Sequence, residues 1–234
     1  MANKALNNTT KAAPKDKEIV RDYFNSVGFD RWRRIYGDGD VNRVQRDIRT
    51  GHQQTVDYVL GWFKNDKNAT TQTVCDAGCG TGSLSIPLAA MGAKVYASDI
   101  SKKMVGEGQS LAADPANPIF EVKDLATLSG EYDTVICLDV LIHYPDRDSE
   151  EMIAHLASLA KSRLILSFAP RNPYYIIMKK VGDMVPGPSK ATRAYLHKES
   201  DVRNVLKNLG FTIKRKEFTA TSFYFSRLFE AVRN

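Results

Sequence analysis

Apolar positions set the first boundaries along this chain. Residues 1–15 are largely polar, with Met1 and Leu6 as the large apolar side chains, and predict a disordered tail. Over 16–24, Ile19, Val20, Tyr23 and Phe24 recur on one helical face, and Gly28 predicts the break that follows. A short helix resumes at Phe29 and ends with Tyr36, stopped by Gly37-Asp38-Gly39. Val44, Ile48, Val56, Val59 and Leu60 then mark a long helix over about 41–63. Residues 16–64 thus read as a helical arm and a first helix. From Thr73 the pattern changes to short β-rich runs at 73–76, 93–98, 118–122, 132–138 and 163–168. Helical segments alternate with them at about 83–91, 101–112 and 147–160. That alternation predicts an α/β fold, a mostly parallel sheet with helices on both faces. Residues 171–197 interrupt it as a lid-like insert, a helix follows at 198–209, and β-like runs at 211–219 and 223–232 predict a terminal antiparallel hairpin. Residues 65–234 therefore read as one seven-stranded, Rossmann-like core.

The chemistry is concentrated where these strands end. Val74-Cys75-Asp76-Ala77-Gly78-Cys79-Gly80-Thr81-Gly82 joins a strand to a helix through a glycine turn, an arrangement that presents backbone N–H groups to a ligand. Its spacing is G-x-G-x-G rather than the G-x-G-x-x-G of pyrophosphate sites, and Asp76 stands just before it. An acid there repels phosphate and suits the cationic amino group of a methionine moiety. Asp99 closes the next strand, where a carboxylate can accept from both ribose hydroxyls, and Asp124 closes the third, where it can hold an exocyclic amine of adenine. Three acids at three successive strand ends point to S-adenosylmethionine. A nucleotide site, or plain loop acids, are the alternatives.

Composition narrows the class. With 234 residues and 43 % hydrophobic content, one domain can bury an adequate core. No apolar run approaches the roughly 18 residues of a membrane span, and the N-terminal stretch lacks a signal-peptide core. Cys75, Cys79 and Cys137 match no zinc spacing and read as reduced core residues of a cytoplasmic protein. The net charge of +6 is unevenly divided: 12 Lys/Arg against 8 Asp/Glu over 1–64, 8 against 14 over 65–170, and 13 against 5 over 171–234. The acidic middle coincides with the donor site. The basic ends suit an anionic substrate or a peripheral contact with an anionic membrane, or are an unevenly charged solvated surface. No basic module with interleaved aromatics is visible, so nucleic acid is not an expected partner.

Longer motifs are more specific. Val20-Arg21-Asp22-Tyr23-Phe24-Asn25, Gly28-Phe29-Asp30-Arg31-Trp32-Arg33-Arg34-Ile35-Tyr36-Gly37-Asp38, Gly51-His52-Gln53-Gln54-Thr55-Val56, the run from Asp133 through Leu138-Asp139-Val140-Leu141-Ile142-His143-Tyr144-Pro145, and Phe168-Ala169-Pro170 resemble the magnesium-protoporphyrin IX methyltransferase family of chlorophyll synthesis, in its cyanobacterial form. The resemblance covers about 17–234. It implies a class I methyltransferase fold and methyl transfer from S-adenosylmethionine to a propionate of magnesium protoporphyrin IX. It also implies a partner, the large subunit of magnesium chelatase, and a location in the cytoplasm, peripheral at thylakoid membranes. Metal is expected only within the substrate, with none held by the protein.

The resemblance further implies Tyr36 and His143 as catalytic residues. Donor contacts are implied from Tyr23, Asp76, Gly78, Cys79, Gly80, Asp99, Ile100, Met104, Asp124, Leu125 and Leu138. A propionate, with a pKa of about 4.3, is already ionised at neutral pH, so orienting groups are needed rather than a strong base. His143 could hydrogen-bond the carboxylate or, if protonated, neutralise it; Tyr36 could orient it from the arm. Each has a plainer account, His143 packed beneath its loop, Tyr36 anchoring the arm, Met104 and Leu138 as core. Asp139 is expected to orient its loop, His155 to lie on a helix surface, and His197 has no evident role. A methyltransferase of another small aromatic acid, and a porphyrin-binding carrier without turnover, remain as alternatives.

Overall fold

The computed structural model describes residues 14–66, 69–172 and 194–234. Residues 1–13 of the expected tail (1–15) and residues 173–193 of the expected lid (171–197) lie outside the described residues, and Pro14 and Lys15 belong to the first helix. The described residues open with α1 (Pro14–Phe24) and α2 (Val27–Tyr36). The break between them falls at Asn25–Ser26 rather than at Gly28, which lies inside α2. What Gly28 supplies is room: a Cβ there would stand 2.5 Å from the Tyr23 ring.

The long helix α3 (Arg43–Lys64) starts on a capping box, with Asn42 accepting from the Gln45 amide at 2.9 Å and Gln45 accepting from the Asn42 amide at 3.3 Å. From α3, the Arg49 guanidinium donates to the carbonyls of Ile35 at 2.9 Å, Arg34 at 2.6 Å and Gly39 at 2.8 Å. The first two are among the carbonyls that the C-terminus of α2 leaves without intrahelical partners, and the third belongs to the turn that follows. One side chain therefore ends α2 and pins the arm to α3, which fixes where Tyr36 stands.

The sheet comprises β1 (Thr73–Ala77), β2 (Lys94–Asp99), β3 (Ile119–Val122), β4 (Tyr132–Cys137), β5 (Ala160–Phe168), β6 (Phe211–Ala220) and β7 (Phe225–Arg233). Its order is β3-β2-β1-β4-β5-β7-β6. The first five strands are parallel, and β7 inserts antiparallel between β5 and β6. The order reverses between β1 and β4, the switch point where open α/β sheets bind ligands beyond the strands' carboxyl ends. The connecting helices are α4 (Ser85–Ala90), α5 (Lys102–Leu111), α6 (Asp146–Leu159) and α7 (Glu199–Asn208). One face of the sheet is covered by α3 and α4 through Val56, Val59, Phe63 and Leu88. The other is covered by α6 and α7 through Ile153, Leu156, Val202 and Leu206. Two buried layers explain why the central strands read as apolar runs. Cys75, Cys79 and Cys137 are free and buried, as the sequence implies.

Two polar clamps hold the ends of the layers. Buried Arg163 on β5 pairs with Asp66 and with Glu230 on β7, and its guanidinium lies 4.2 Å from the Phe63 ring centre. At the other end, Asp47 on α3 accepts from the Thr221 hydroxyl at 2.6 Å and from the Phe223 amide at 2.7 Å. The β6–β7 turn is thereby held on α3, and Tyr224 points inward over Gly51, where a Cβ would stand 2.3 Å from its ring.

Two glycines of α3 should respond oppositely to alanine. Nothing stands within 4 Å of a Cβ at Gly61, so Gly61→Ala should stabilise by up to about 1 kcal/mol through helix propensity. Gly51→Ala must displace Tyr224, and overpacking of this kind costs about 1–3 kcal/mol. Thermal unfolding checks both: a raised midpoint for the first and one lowered by several degrees for the second.

Candidate active site

The site forms around the carboxyl ends of β1, β2, β3 and β4. Asp76 is the penultimate residue of β1, and its carboxylate accepts from the Ser85 hydroxyl at 2.5 Å. Burial pushes its carboxyl up to about 6, the Ser85 bond working against the rise. The turn that follows is used differently from expectation. The amides of Gly78 and Cys79 both donate to the Ser98 carbonyl, at 2.8 and 2.9 Å, and that of Gly80 donates to Asp99 at 3.0 Å. All three N–H groups are therefore engaged within the protein, and this part of the turn offers no donors to a phosphate. Gly78 is needed for two reasons: its φ is +87°, and a Cβ would stand 2.3 Å from Val140. Gly80 adopts φ +56°, and the Tyr36 ring packs beside it, 3.5 Å from where a Cβ would stand.

Asp99 accepts from the amides of Gly80 and Ser101, the latter at 2.8 Å. Burial nevertheless raises its carboxyl above the ordinary range, with these two bonds holding it back. Asp124 follows β3 and accepts from the Ala126 amide at 2.9 Å. Asp139, following β4, adopts φ +57°, a left-handed conformation that Asp tolerates better than most residues. It accepts from His52 Nδ1 at 2.8 Å, from the Tyr224 hydroxyl at 3.0 Å and from the Ser167 hydroxyl at 3.1 Å. Burial alone would raise this carboxyl; the three donors bring it below the usual range.

These ends enclose a cavity of about 490 Å³, within the size range of small-molecule sites. Its wall includes Tyr36, Gly78, Gly80, Asp99, Ile100, Met104, Asp124, Leu125, Leu138 and His143. A smaller cavity of about 30 Å³ adjoins it, sharing Tyr36, Gly78, Gly80 and Leu138, and adding Asp76, Cys79, His52 and Ser83. All the expected site residues but one thus line one or other of two adjoining cavities. The exception is Tyr23: it sinks against Gly28, 7 % exposed, and its neighbours Val20 and Phe24 line the wall instead.

Burial also decides the state of the two expected catalytic groups. His143 is pushed down to about 4, against the opposing charge of Asp139, so the imidazole is neutral at pH 7 and not the cation that could neutralise a carboxylate. Its Nδ1 is buried without a partner, and the Phe24 ring meets its own edge-on at 5.6 Å. Burial, followed by the charges of Asp139 and Asp99, raises the Tyr36 phenol well above its ordinary value, so it stays protonated. The Tyr36 ring lies 4.6 Å from that of His52 and 5.4 Å from that of Trp32.

Several groups here carry no local signal in the sequence. His52 and Tyr224 reach Asp139 from far along the chain. His155 is half-buried on the cavity wall with Nε2 unpartnered, not on an open helix surface, because α6 turns the Arg147, Glu151 and His155 stripe toward the site. His197 is buried, with Nδ1 at 3.0 Å from Asp146 and Nε2 at 2.9 Å from the Leu141 carbonyl. Together with the Tyr195 amide on the Ile142 carbonyl at 2.7 Å, it braces the loop that carries His143. Among the described residues, no group of three or more His, Cys, Asp or Glu could hold a metal, and no helix is long and apolar enough to cross a membrane.

Comparison with known proteins agrees with this geometry. A family profile described as magnesium-protoporphyrin IX methyltransferase C-terminus matches residues 137–233, and one described as methyltransferase domain matches 74–163. A magnesium-protoporphyrin O-methyltransferase of Synechocystis is 62 % identical over 229 residues, 96 % of this chain and 100 % of that protein. The chloroplastic magnesium protoporphyrin IX methyltransferase of Arabidopsis thaliana is 59 % identical over 93 % of this chain and 71 % of its own length. The crystal structure of magnesium protoporphyrin IX methyltransferase from Synechocystis with bound SAH superposes with a TM-score of 0.86 at 61 % identity, covering 93 % of this chain and 100 % of that one. Similarity of this degree spans arm, sheet and hairpin together, beyond what a shared donor-binding domain would produce: the chain belongs to the magnesium-protoporphyrin O-methyltransferase family.

Proposed function

We propose that this protein transfers the methyl group of S-adenosylmethionine to a propionate carboxylate of magnesium protoporphyrin IX in chlorophyll biosynthesis, giving the monomethyl ester and S-adenosylhomocysteine. The observation that carries the reading is the meeting of Tyr36 and His143 with Asp99 and Asp124 on one cavity wall, with Asp76 in the adjoining pocket. A carboxylate oxygen forms a bond to the methyl carbon, the S–CH₃ bond breaks, and the sulfonium becomes a neutral thioether. No proton moves, because the nucleophile is already ionised. An anion and a cation cancel as the reaction proceeds, so removing water strengthens the attraction that draws them together.

The residues divide the work accordingly. Asp76 receives the donor's ammonium group, Asp99 its ribose and Asp124 its adenine, with Ile100, Met104 and Leu125 as apolar walls. Leu138, Gly78, Cys79 and Gly80 shape the methionine end, and Tyr23 supports the arm from beneath Phe24. A neutral His143 donates one hydrogen bond to the propionate without cancelling the charge that attacks. The Tyr36 phenol donates a second, and alignment supplies most of the remainder. Two finer readings rest on family membership and the basic segment 171–234: the porphyrin is received from the large subunit of magnesium chelatase, and the protein works in the cytoplasm at the thylakoid surface. The N-terminal tail, the helical arm and the lid insert are the functional divisions of the chain beside its donor-binding core.

The direct test offers labelled S-adenosylmethionine with magnesium protoporphyrin IX, metal-free protoporphyrin and an RNA pool. Label in a porphyrin monomethyl ester is expected; donor binding with no labelled porphyrin would overturn the assignment. His143→Ala and Tyr36→Phe should each lower kcat by about 10- to 100-fold, the worth of one hydrogen bond to a charged group, with a smaller change in donor affinity. The Asp76 carboxyl takes up a proton below about pH 6 in the free protein, and the cationic donor must expel it. Donor Kd, measured calorimetrically, should therefore rise as pH falls through 6, approaching tenfold per unit below it. Asp76→Asn should flatten that dependence.

A further inference from the structure

The small cavity beside Asp76 has a wall whose polarity is set from elsewhere. A carboxylate can only accept, so the 2.8 Å contact between Asp139 and His52 places a proton on His52 Nδ1. In the neutral imidazole, Nε2 is then an acceptor, and it stands 3.0 Å from the Ser83 hydroxyl. Ser83 must turn its proton back toward His52. What it presents to the cavity it shares with Asp76 is a pair of oxygen lone pairs. His52 is 8 % exposed, both its ring nitrogens are occupied by Asp139 and Ser83, and the Tyr36 ring packs against it at a tilt of 43°. Asp139 is itself held by Ser167 and Tyr224, so the direction of the whole chain of bonds is imposed from its anionic end.

We propose that Asp139 and His52 form a positioning relay that makes Ser83 a second acceptor, beside Asp76, for the α-ammonium group of the methyl donor. The relay rests on the proposed donor but not on the proposed acceptor. His52 and Asp139 border the two cavities, and within the relay they act through Ser83, and through His52 on Tyr36. An imidazolium at position 52 would reverse the last bond and turn the Ser83 proton into the cavity, favouring the donor's carboxylate instead. The two polarities therefore recognise opposite ends of the same amino acid.

The test measures Kd for S-adenosylhomocysteine and for analogues lacking either its α-amino or its α-carboxyl group, by calorimetry on the full chain. For the unmodified protein, removal of the amino group should weaken binding by about 100-fold or more. Ser83→Ala and His52→Asn, the latter keeping a donor toward Asp139 while losing the reach to Ser83, should each reduce that ratio by about tenfold. The double variant should show the same tenfold and not a hundredfold, because both changes cut one chain of bonds. A structural role alone would lower stability without moving the amino-group ratio. Should His52→Asn fail to fold, Asp139→Gly, which suits the left-handed backbone and removes the acceptor from His52, replaces it and should reduce the ratio likewise. A wild-type ratio in either variant, losses that multiply, or a change confined to the carboxyl-lacking analogue would overturn the relay. Failure of the unmodified protein to bind S-adenosylhomocysteine at all would instead remove the proposed donor.

Discussion

Like charges repel, and four carboxylates stand at the ends of four neighbouring strands in the order Asp124, Asp99, Asp76 and Asp139. Strands in a sheet lie about 4.8 Å apart, so this row is an electrostatic burden on the folded state unless each member is compensated. The compensation is unequal. Asp139 has three side-chain donors and sits below the usual carboxylate range, while Asp99 has two backbone amides and remains somewhat above it. Asp76 has one hydroxyl and is pushed up to about 6. The unmet demand is therefore concentrated at Asp76, where a ligand's positive charge completes what the protein leaves undone.

That arrangement depends on parts of the chain remote from the glycine turn. Asp139 receives donors from α3, β5 and the β6–β7 turn, and the turn is in place because Asp47 holds it. Gly51 removes the side chain that would keep Tyr224 out. The terminal hairpin thus belongs to the site as much as to the sheet, in keeping with a family profile that runs from β4 to the end of β7. On the arm side, Arg49 stops α2 at the point where Tyr36 reaches the turn. Remote changes that loosen either attachment would alter the site without touching a ligand.

The sheet and three of its acids were legible because their signals are local. Asp76, Asp99 and Asp124 each follow a short apolar run, and an acid after a strand needs only a few residues to be recognised. Helical spacing likewise located α3, α6 and α7 within a few residues. The rest depended on contacts between distant segments. Nothing adjacent to His52 or Tyr224 announces that both meet Asp139, separated from it by 87 and 85 residues. Gly28 looked like a break because glycine does interrupt helices, yet here its lack of a side chain admits the Tyr23 ring. The same contact takes Tyr23 off the wall that Phe24 occupies. The glycine turn has the spacing of a donor-rich loop, but only the fold reveals that Ser98 and Asp99 consume its amides.

The row of acids also bears on how the site empties. Before transfer, the bound co-substrate carries two positive centres, the sulfonium and the ammonium, against this negative field. Afterwards the sulfur is neutral and only the ammonium remains. The spent by-product is held by fewer charges than the molecule that must replace it, although the two differ by a single methyl group. Loss of the sulfonium charge therefore weakens the electrostatic hold on the by-product at the moment transfer is complete.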